Sequence, residues 1–503
     1  RVHMEEDDSQ LYVFEDARHP LLPSWVVACF TINVIMGSGF LGVPSGFLSS
    51  GMLLGPLVLL AVTALQWVAA CQLAQVAARS HALLTDVTAA HQLTPTLAPL
   101  AKFDNAAQRS KRPSPPSLGL PSNTSYEVMM LCRLHLGRWS ERCVMVSVML
   151  YMVGSLWSFV SVFAASMSAV VPLPLGGGEA LAPCDIYKTD VYGGGCITLY
   201  YFWVLVFAVV MVALMGLDMR EQACFQCSMT VARALVISAM VGSLLLGGRD
   251  DFGLDSDANR TAASAPAVSQ PLPLVRWEGL PMMVPIGVFC QLFQIGVPSL
   301  LQPLGRKREF PLIFGAALLS TFVMYSSLGL VAVAVLRDDI DPSCNLNWSA
   351  HRQRTLALVV SIFPAIDCLS VFPMNAIFLA NNLLAVVFQK DWHAGRIDRR
   401  TRYACRLLCC VPPLICAFAF PSLAKALGFT GIIGIVLPFI VTPMLHAASL
   451  RECRNRWGAA YFDACERDSD FAQYGCSSPA VVKASGAFGA LLLAYTVGYG
   501  LLH

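Results

Sequence analysis

The stretch NVIMGSGFLGVP, Asn33 to Pro44, decides how the chain is to be read. It lies inside an apolar run over residues 24–47, long enough to cross a bilayer as a helix of about 20 residues. Yet Gly37, Ser38, Gly39 and Gly42 are poor helix formers, and Pro44 withdraws a backbone donor. The sequence therefore predicts a spanning helix interrupted at Gly37–Gly39. An unwound turn at membrane depth leaves N–H and C=O groups that lipid cannot satisfy. It is tolerated only where it faces protein, a cavity or a ligand. Close packing of a second helix on the small residues is the competing explanation for the same glycines.

Outward from this stretch, the whole chain has the composition of a membrane protein. Of 503 residues, 56% are hydrophobic and only 13% charged. Soluble domains carry about 25% charge, and the mean hydropathy is +0.60. Apolar runs near 24–47, 51–78, 144–172, 197–217, 225–247, 279–303, 310–336, 355–386, 404–423, 427–449 and 480–502 predict an all-α polytopic protein with eleven transmembrane helices. The sixth run shares the character of the first. Gly287, Gly296, Pro298 and Pro303 interrupt it, and Gln291, Gln294 and Gln302 bring amides into apolar surroundings. Paired interrupted spans at corresponding places in two halves point to a midplane solute site between inverted repeats. That makes Asn33, Gly37, Ser38, Gly39, Gln291 and Gln294 the candidate substrate-binding residues.

Most of the 34 Lys and Arg fall in alternate loops, such as Arg306–Arg308, Arg399–Arg402 and Arg451–Arg456. The bias predicts a cytoplasmic N-terminus and a lumenal or extracellular C-terminus. Residues 1–23 then form a cytoplasmic tail, 24–78 the first two helices, 79–143 a cytoplasmic loop, partly disordered, and 144–503 the remaining nine helices with their loops. The charged segment 451–479 is expected to include a short helix on the inner surface. The acidic N-terminal stretch lacks a basic leader region, so the first apolar run is expected to stay in the membrane. Asn259 and Asn347 lie in sequons on predicted outside loops and are candidate glycosylation sites. Cys184, Cys196 and Cys344 also fall outside, an odd number that implies one disulfide and one free thiol.

Two ionisable residues lie deep in apolar runs: Arg233 in the fifth and Asp367 in the eighth. An intramembrane carboxylate faces a cavity or a partner, and an Arg233–Asp367 ion pair is one reading. Asp367 is also a titratable group for ion coupling, with Ser370 one helical turn away. The net charge of +2 and the absence of a basic stripe argue against nucleic acid as a partner. No GxxxxGK[ST] sequence occurs, which disfavours ATP-driven pumping. No CxxC is matched by a second at metal-site spacing, so neither zinc nor iron–sulfur is expected as a cofactor, and no catalytic triad or HExxH supports an enzyme.

The pieces Asn33–Phe47, Tyr151–Pro172, Gly287–Arg308, Cys344–Asn347, Phe363–Pro373 and Gly428–Pro438, in this order, resemble the amino acid/auxin permease family of amino acid transporters. The likeness is to its transmembrane protein 104-like branch. The resemblance implies a five-plus-five inverted repeat with helices 1 and 6 broken, plus an eleventh helix. It places substrate on the unwound backbone at Gly37–Gly39, with Ser38 approaching a carboxylate and Gln291 and Gln294 near the second break. Any coupling cation, Na+ or H+, would sit between the first break and the eighth helix, beside Ser370. It also implies that Cys344 is disulfide-bonded to Cys184 or Cys196. The function expected is secondary transport of an amino acid or similar small solute, in the plasma membrane or an acidic organelle. A membrane sensor on the same scaffold, or a non-transporting subunit of a membrane complex, are the alternatives.

Overall fold

In the computed structural model the described residues are 21–97, 118–120, 126–174, 180–187, 194–216, 223–252, 272–388, 397–472 and 478–502. They form helices: α1 (Ser24–Ile35), α2 (Val43–Ser50), α3 (Leu54–Leu97), α4 (Val128–Leu136), α5 (Arg138–Val170), α6 (Gly194–Leu214) and α7 (Ala223–Gly247). There follow α8 (Leu280–Gln291), α9 (Val297–Leu301), α10 (Phe310–Leu336), α11 (Arg354–Val387), α12 (Arg399–Ala419), α13 (Leu423–Gly434), α14 (Thr442–Trp457), α15 (Ala459–Arg467) and α16 (Pro479–Leu502). The strands described are a two-residue antiparallel pair, Leu173–Pro174 with Ala180–Leu181. Among the described residues ten helical stretches are long and apolar enough to cross a membrane, and Ser24–Ile35 is a shorter apolar helix. The chain is an integral, multi-pass, all-α membrane protein.

Local chemistry sets the helix ends. Asp398 accepts from the Thr401 N–H at 3.3 Å and Ser422 from that of Lys425 at 3.4 Å, each filling a donor that its helix leaves open. Helix α11 runs unbroken through Pro364 and Pro373, so the run 355–386 is one long helix. Between α13 and α14 the chain widens into a π turn at Leu437–Val441, next to Pro438 and Pro443, and the Thr442 hydroxyl takes up the Leu437 carbonyl at 2.9 Å. Helix α5 is central, packed on α11, α13, α6 and α12, while α8 lies on α13, α3 and α2. The α8–α13 approach needs glycine: a Cβ on Gly431 would meet the Pro285 carbonyl oxygen at 2.0 Å.

Three expectations are corrected. The disulfide joins Cys184 to Cys196, and Cys344 is a free thiol. The two bonded cysteines are 12 residues apart, one in the loop after α5 and the other in the first turn of α6, with Cα atoms 5.8 Å apart, within bridging reach. Cys344 sits fully buried at the start of a 3-10 turn (Cys344–Ala350), where desolvation first and then Asp341 push its thiol pKa up. Asn347 is buried, not a surface acceptor: its amide nitrogen donates to the Asp339 carbonyl at 2.7 Å and its oxygen accepts from the Asp341 N–H at 3.1 Å. A sugar on that nitrogen would have to break this turn. Asn259 lies outside the described residues. Finally, the predicted loop 79–143 is helical at both ends, since α3 continues to Leu97 and α4 and the start of α5 occupy 128–143. Its middle, 98–117 and 121–125, lies outside the described residues. Helix α15 is the short helix expected within 451–479.

Candidate functional site

The first apolar run is broken where its glycines predict. Helix α1 ends at Ile35, Met36 leaves helical geometry at ψ 69°, and Gly37 is extended at φ −80°, ψ −150°. A single 3-10 turn (Ser38–Leu41) follows before α2 restarts with Pro44 in its first turn. The leading N–H groups of that turn have no intrahelical partners, whereas most trailing carbonyls of α1 are taken: Ile32 by the Met36 N–H at 2.7 Å, Asn33 by Arg233 at 3.4 Å and Ile35 by the Gly37 N–H at 2.9 Å. The second break falls at Leu292–Phe293, between α8 and a 3-10 turn at Gln294–Gly296 that leads into α9. The chain also ties the two segments together outside the breaks, through Leu22 N–H to the Pro303 carbonyl at 2.8 Å.

A small cavity of about 30 Å³ lies between the breaks. Its walls are the Ile35–Gly37 turn, Tyr151, Ser155 and Phe159 of α5, Phe289 and Phe293 at the second break, and Asn375 and Phe378 of α11. The volume suits about one water molecule, far below the roughly 300 Å³ or more of a filled solute pocket. Gly37 belongs to this wall by necessity: a Cβ there would lie 2.9 Å from two ring carbons of Phe159. The other sequence candidates are placed differently. Ser38 is turned away and shares a 2.6 Å hydrogen bond with Ser158. A Cβ on Gly39 would strike Cys290 Sγ at 2.7 Å, so this glycine serves the contact with α8. Gln291 Oε1 accepts from Thr321 at 3.0 Å. Gln294 caps its own break, accepting from the Phe293 N–H at 3.1 Å and donating to the Gln66 carbonyl and side-chain oxygen of α3.

Beside the first break lies a closed polar network. Arg233 is fully buried; its Nε donates to Asp367 Oδ1 at 2.8 Å, with Nη2 at 2.6 Å from the same oxygen. Its Nη1 donates to Asn33 Oδ1 at 2.7 Å and to the Asn33 backbone carbonyl at 3.4 Å. Thr230 also donates to Asn33 Oδ1, and the Asn33 amide donates to Gln226. Gln226 in turn donates to the Ser370 carbonyl at 3.1 Å, while the Ser370 hydroxyl bonds back to the Asp367 carbonyl of its own helix. The guanidinium thus faces the carbonyl end of α1, the negative end of the helix dipole, and links it to α11. The residues that sequence reading missed are the cavity walls. Tyr151 opens one of the motif pieces and Asn375 lies just past the end of another, but aromatic residues at such positions read as ordinary core.

A second polar network closes one end of the bundle. Arg79, fully buried in α3, donates from Nε to Glu466 Oε1 of α15 at 2.7 Å and from Nη1 to the His446 carbonyl and the Ser449 hydroxyl of α14, each at 3.3 Å. His135 of α4 bridges Ser80 at 2.8 Å and Glu452 at 2.9 Å. A separate apolar cluster of Leu83, Leu118, Leu450, Cys453, Trp457 and Phe462 seals the same place. Among the described residues no group of three or more His, Cys, Asp or Glu could hold a metal ion.

With this geometry in view, the chain can be set beside known proteins. No protein-family model matches it, so the likeness to amino acid/auxin permeases rests on the short motifs alone. It is 20% identical over 439 residues to transmembrane protein 104 of Pongo abelii, across 82% of this chain and 84% of that protein. It is likewise 20% identical over 448 residues to the transmembrane protein 104 homolog of Dictyostelium discoideum, across 80% and 83%. Among solved structures, crystal structures of mutants of an Eremococcus coleocola manganese transporter align at a TM-score of 0.44 with 10% identity, covering 94% of this chain and 92% of theirs.

Proposed function

We propose that the chain is a secondary transporter that carries an amino acid or a similar small solute across its membrane. The observation that carries this reading is the meeting of two helix breaks, at Met36–Gly37 and Leu292–Phe293, on one cavity. Breaking two membrane helices at one depth leaves several backbone groups unpaired, and a ligand that uses them offsets that cost. Val34, near the end of α1, lines the cavity and its carbonyl suits an ammonium, while the leading N–H groups of the Ser38–Leu41 turn suit a carboxylate. Tyr151, Ser155 and Asn375 add side-chain polar groups on the opposite wall. The cavity is too small for a solute, so binding requires the aromatic walls Phe159, Phe289, Phe293 and Phe378 to move. On this reading segment 24–50 is an eleventh, broken span, the halves are five-plus-five inverted repeats, and the N-terminus faces the cytoplasm.

The coupling ion in this reading is a proton rather than sodium. The position between the first break and α11 already holds a cation, the Arg233 guanidinium, bonded to the Asn33 carbonyl and to Asp367. A second cation there would meet it at close range without a spare carboxylate. Protonation of Asp367 would loosen the link between α11 and the end of α1, and so couple proton binding to the movement of the broken segment. The test is uptake of labelled amino acids into liposomes holding the purified chain, with a pH gradient, a sodium gradient or neither. Accumulation that follows the pH gradient supports the proposal. Binding without flux under all three conditions would make the chain a sensor instead, and accumulation that follows sodium would overturn the assignment of Arg233.

A further inference from the structure

Apart from the cavity between the helix breaks, a larger cleft of about 480 Å³ opens between α14 and the first turns of α16. Its floor is apolar, from Leu450 and Val482, and its rim carries Arg451, Arg454, Asn455 and Lys483. The cleft lies at a membrane boundary, because α14 ends one candidate span at Trp457 and α16 begins another at Pro479. Arg454 is already neutralised by Asp463, through two hydrogen bonds of 2.9 and 3.0 Å. Arg451 and Lys483 are exposed and have neither an ion-pair nor a hydrogen-bond partner among the described residues. Two uncommitted cations therefore face a cleft whose apolar side adjoins the hydrocarbon.

Behind the cleft wall lies a buried polar contact between α14 and α3. His446 lines the cleft and is fully buried. Its Nε2 lies 3.0 Å from Gln75 Oε1, and the Gln75 amide nitrogen donates to the Phe471 carbonyl at 3.3 Å. Gln75 Oε1 is thus an acceptor, so His446 Nε2 carries the proton and Nδ1 is left as an acceptor. Among the described residues no group donates to that Nδ1, and the atom has no exposed surface, so it stays behind the cleft wall.

We infer that this cleft binds the headgroup of an anionic phospholipid. Its phosphate pairs with Arg451 and Lys483, and its acyl chains leave along Leu450 and Val482. Basic pockets between membrane helices on the anionic leaflet recognise such headgroups. The size also fits, since small-ligand sites occupy about 300–1,000 Å³.

The test is a native mass-spectrometric titration of the purified full-length chain with phosphatidylinositol, phosphatidylcholine and, as a competitor, inorganic phosphate. Phosphatidylinositol should bind in preference to phosphatidylcholine. Arg451→Gln with Lys483→Gln should weaken that binding by about fivefold per charge removed, on the order of 25-fold together. A charge-matched control, Arg399→Gln with Arg400→Gln on α12, should leave it unchanged. The inference is overturned if phosphatidylcholine binds as well or if the control pair loses as much affinity. It is also overturned if millimolar inorganic phosphate displaces the lipid, which would make the cleft a free-anion site.

Discussion

Among the described residues two arginines are completely buried, each beside a carboxylate, and they do different work. Arg233 sits at depth, with Asp367 on one side and the severed end of α1 on the other. Arg79 sits at the end of the bundle and ties α3 to α14 and α15 through Glu466, Ser449 and the His446 carbonyl. The first joins a broken helix to its neighbour, at the place where a solute site is proposed. The second joins helices that are themselves unbroken, above an apolar seal. A buried ion pair is weak support for stability, because desolvation offsets most of the attraction, yet removing one partner is severe. Where the pair stands therefore says more about its role than the fact that it is buried.

The comparison is broken most sharply by single substitutions. Arg233→Leu should strand Asp367 and the Asn33 carbonyl and cost about 3–5 kcal/mol, read as a lower unfolding temperature in detergent, with uptake lost. The double change Arg233→Met with Asp367→Leu should recover much of the stability but not uptake. A double variant that still transports would reduce this pair to a scaffold like the other. Gly37→Leu comes next. Its side chain would enter the space of Phe159 and the cavity, so uptake should vanish while the protein still reaches the membrane.

Asp367→Asn sharpens the contrast between coupling and carriage. Uptake driven by a pH gradient should be lost, while exchange of solute down its own gradient persists. Accumulation equal to that of the parent protein would remove Asp367 from the coupling step. Glu466→Gln at the other network keeps the shape and one acceptor for Arg79, so it should cost about 1–3 kcal/mol and raise thiol labelling of Cys453, now buried under the seal, without abolishing exchange. The smallest effect is expected from Ser38→Ala. The hydroxyl is committed to Ser158 rather than to the cavity, so about 1 kcal/mol and little change in uptake should follow. A large loss of uptake would mean that Ser38 turns inward during transport.

The difference between the two arginines is also a difference in what sequence can reveal. Arg233 and Asp367 stand out because nothing else in their apolar runs is charged, and the break at Met36–Gly37 is written in glycines, serine and proline. Arg79 stands at the edge of an apolar run and Glu466 in a charged segment, where both look like solvated residues. Only the continuation of α3 and the fold of α14 and α15 bring them together. The cavity walls were hidden for the opposite reason: Phe159, Phe289 and Phe378 have the composition of any membrane core. The cysteine pairing was missed because family likeness favoured a link between distant loops. Chain proximity favours the short loop that forms, with Cys344 covered by its own 3-10 turn.

Helix α3 has a mechanical consequence. Its 44 residues make one unbroken rod, about 66 Å long at 1.5 Å per residue, roughly twice the hydrocarbon thickness of a bilayer. Its membrane portion touches the second break through Gln66, and its middle carries Arg79. A rod pivoted near one end magnifies small rotations at the other. A tilt too slight to notice beside the cavity would sweep the far tip through several times that distance, so the protein carries its own pointer out of the membrane. A spectroscopic label on that tip would read the position of the helix breaks from the aqueous side.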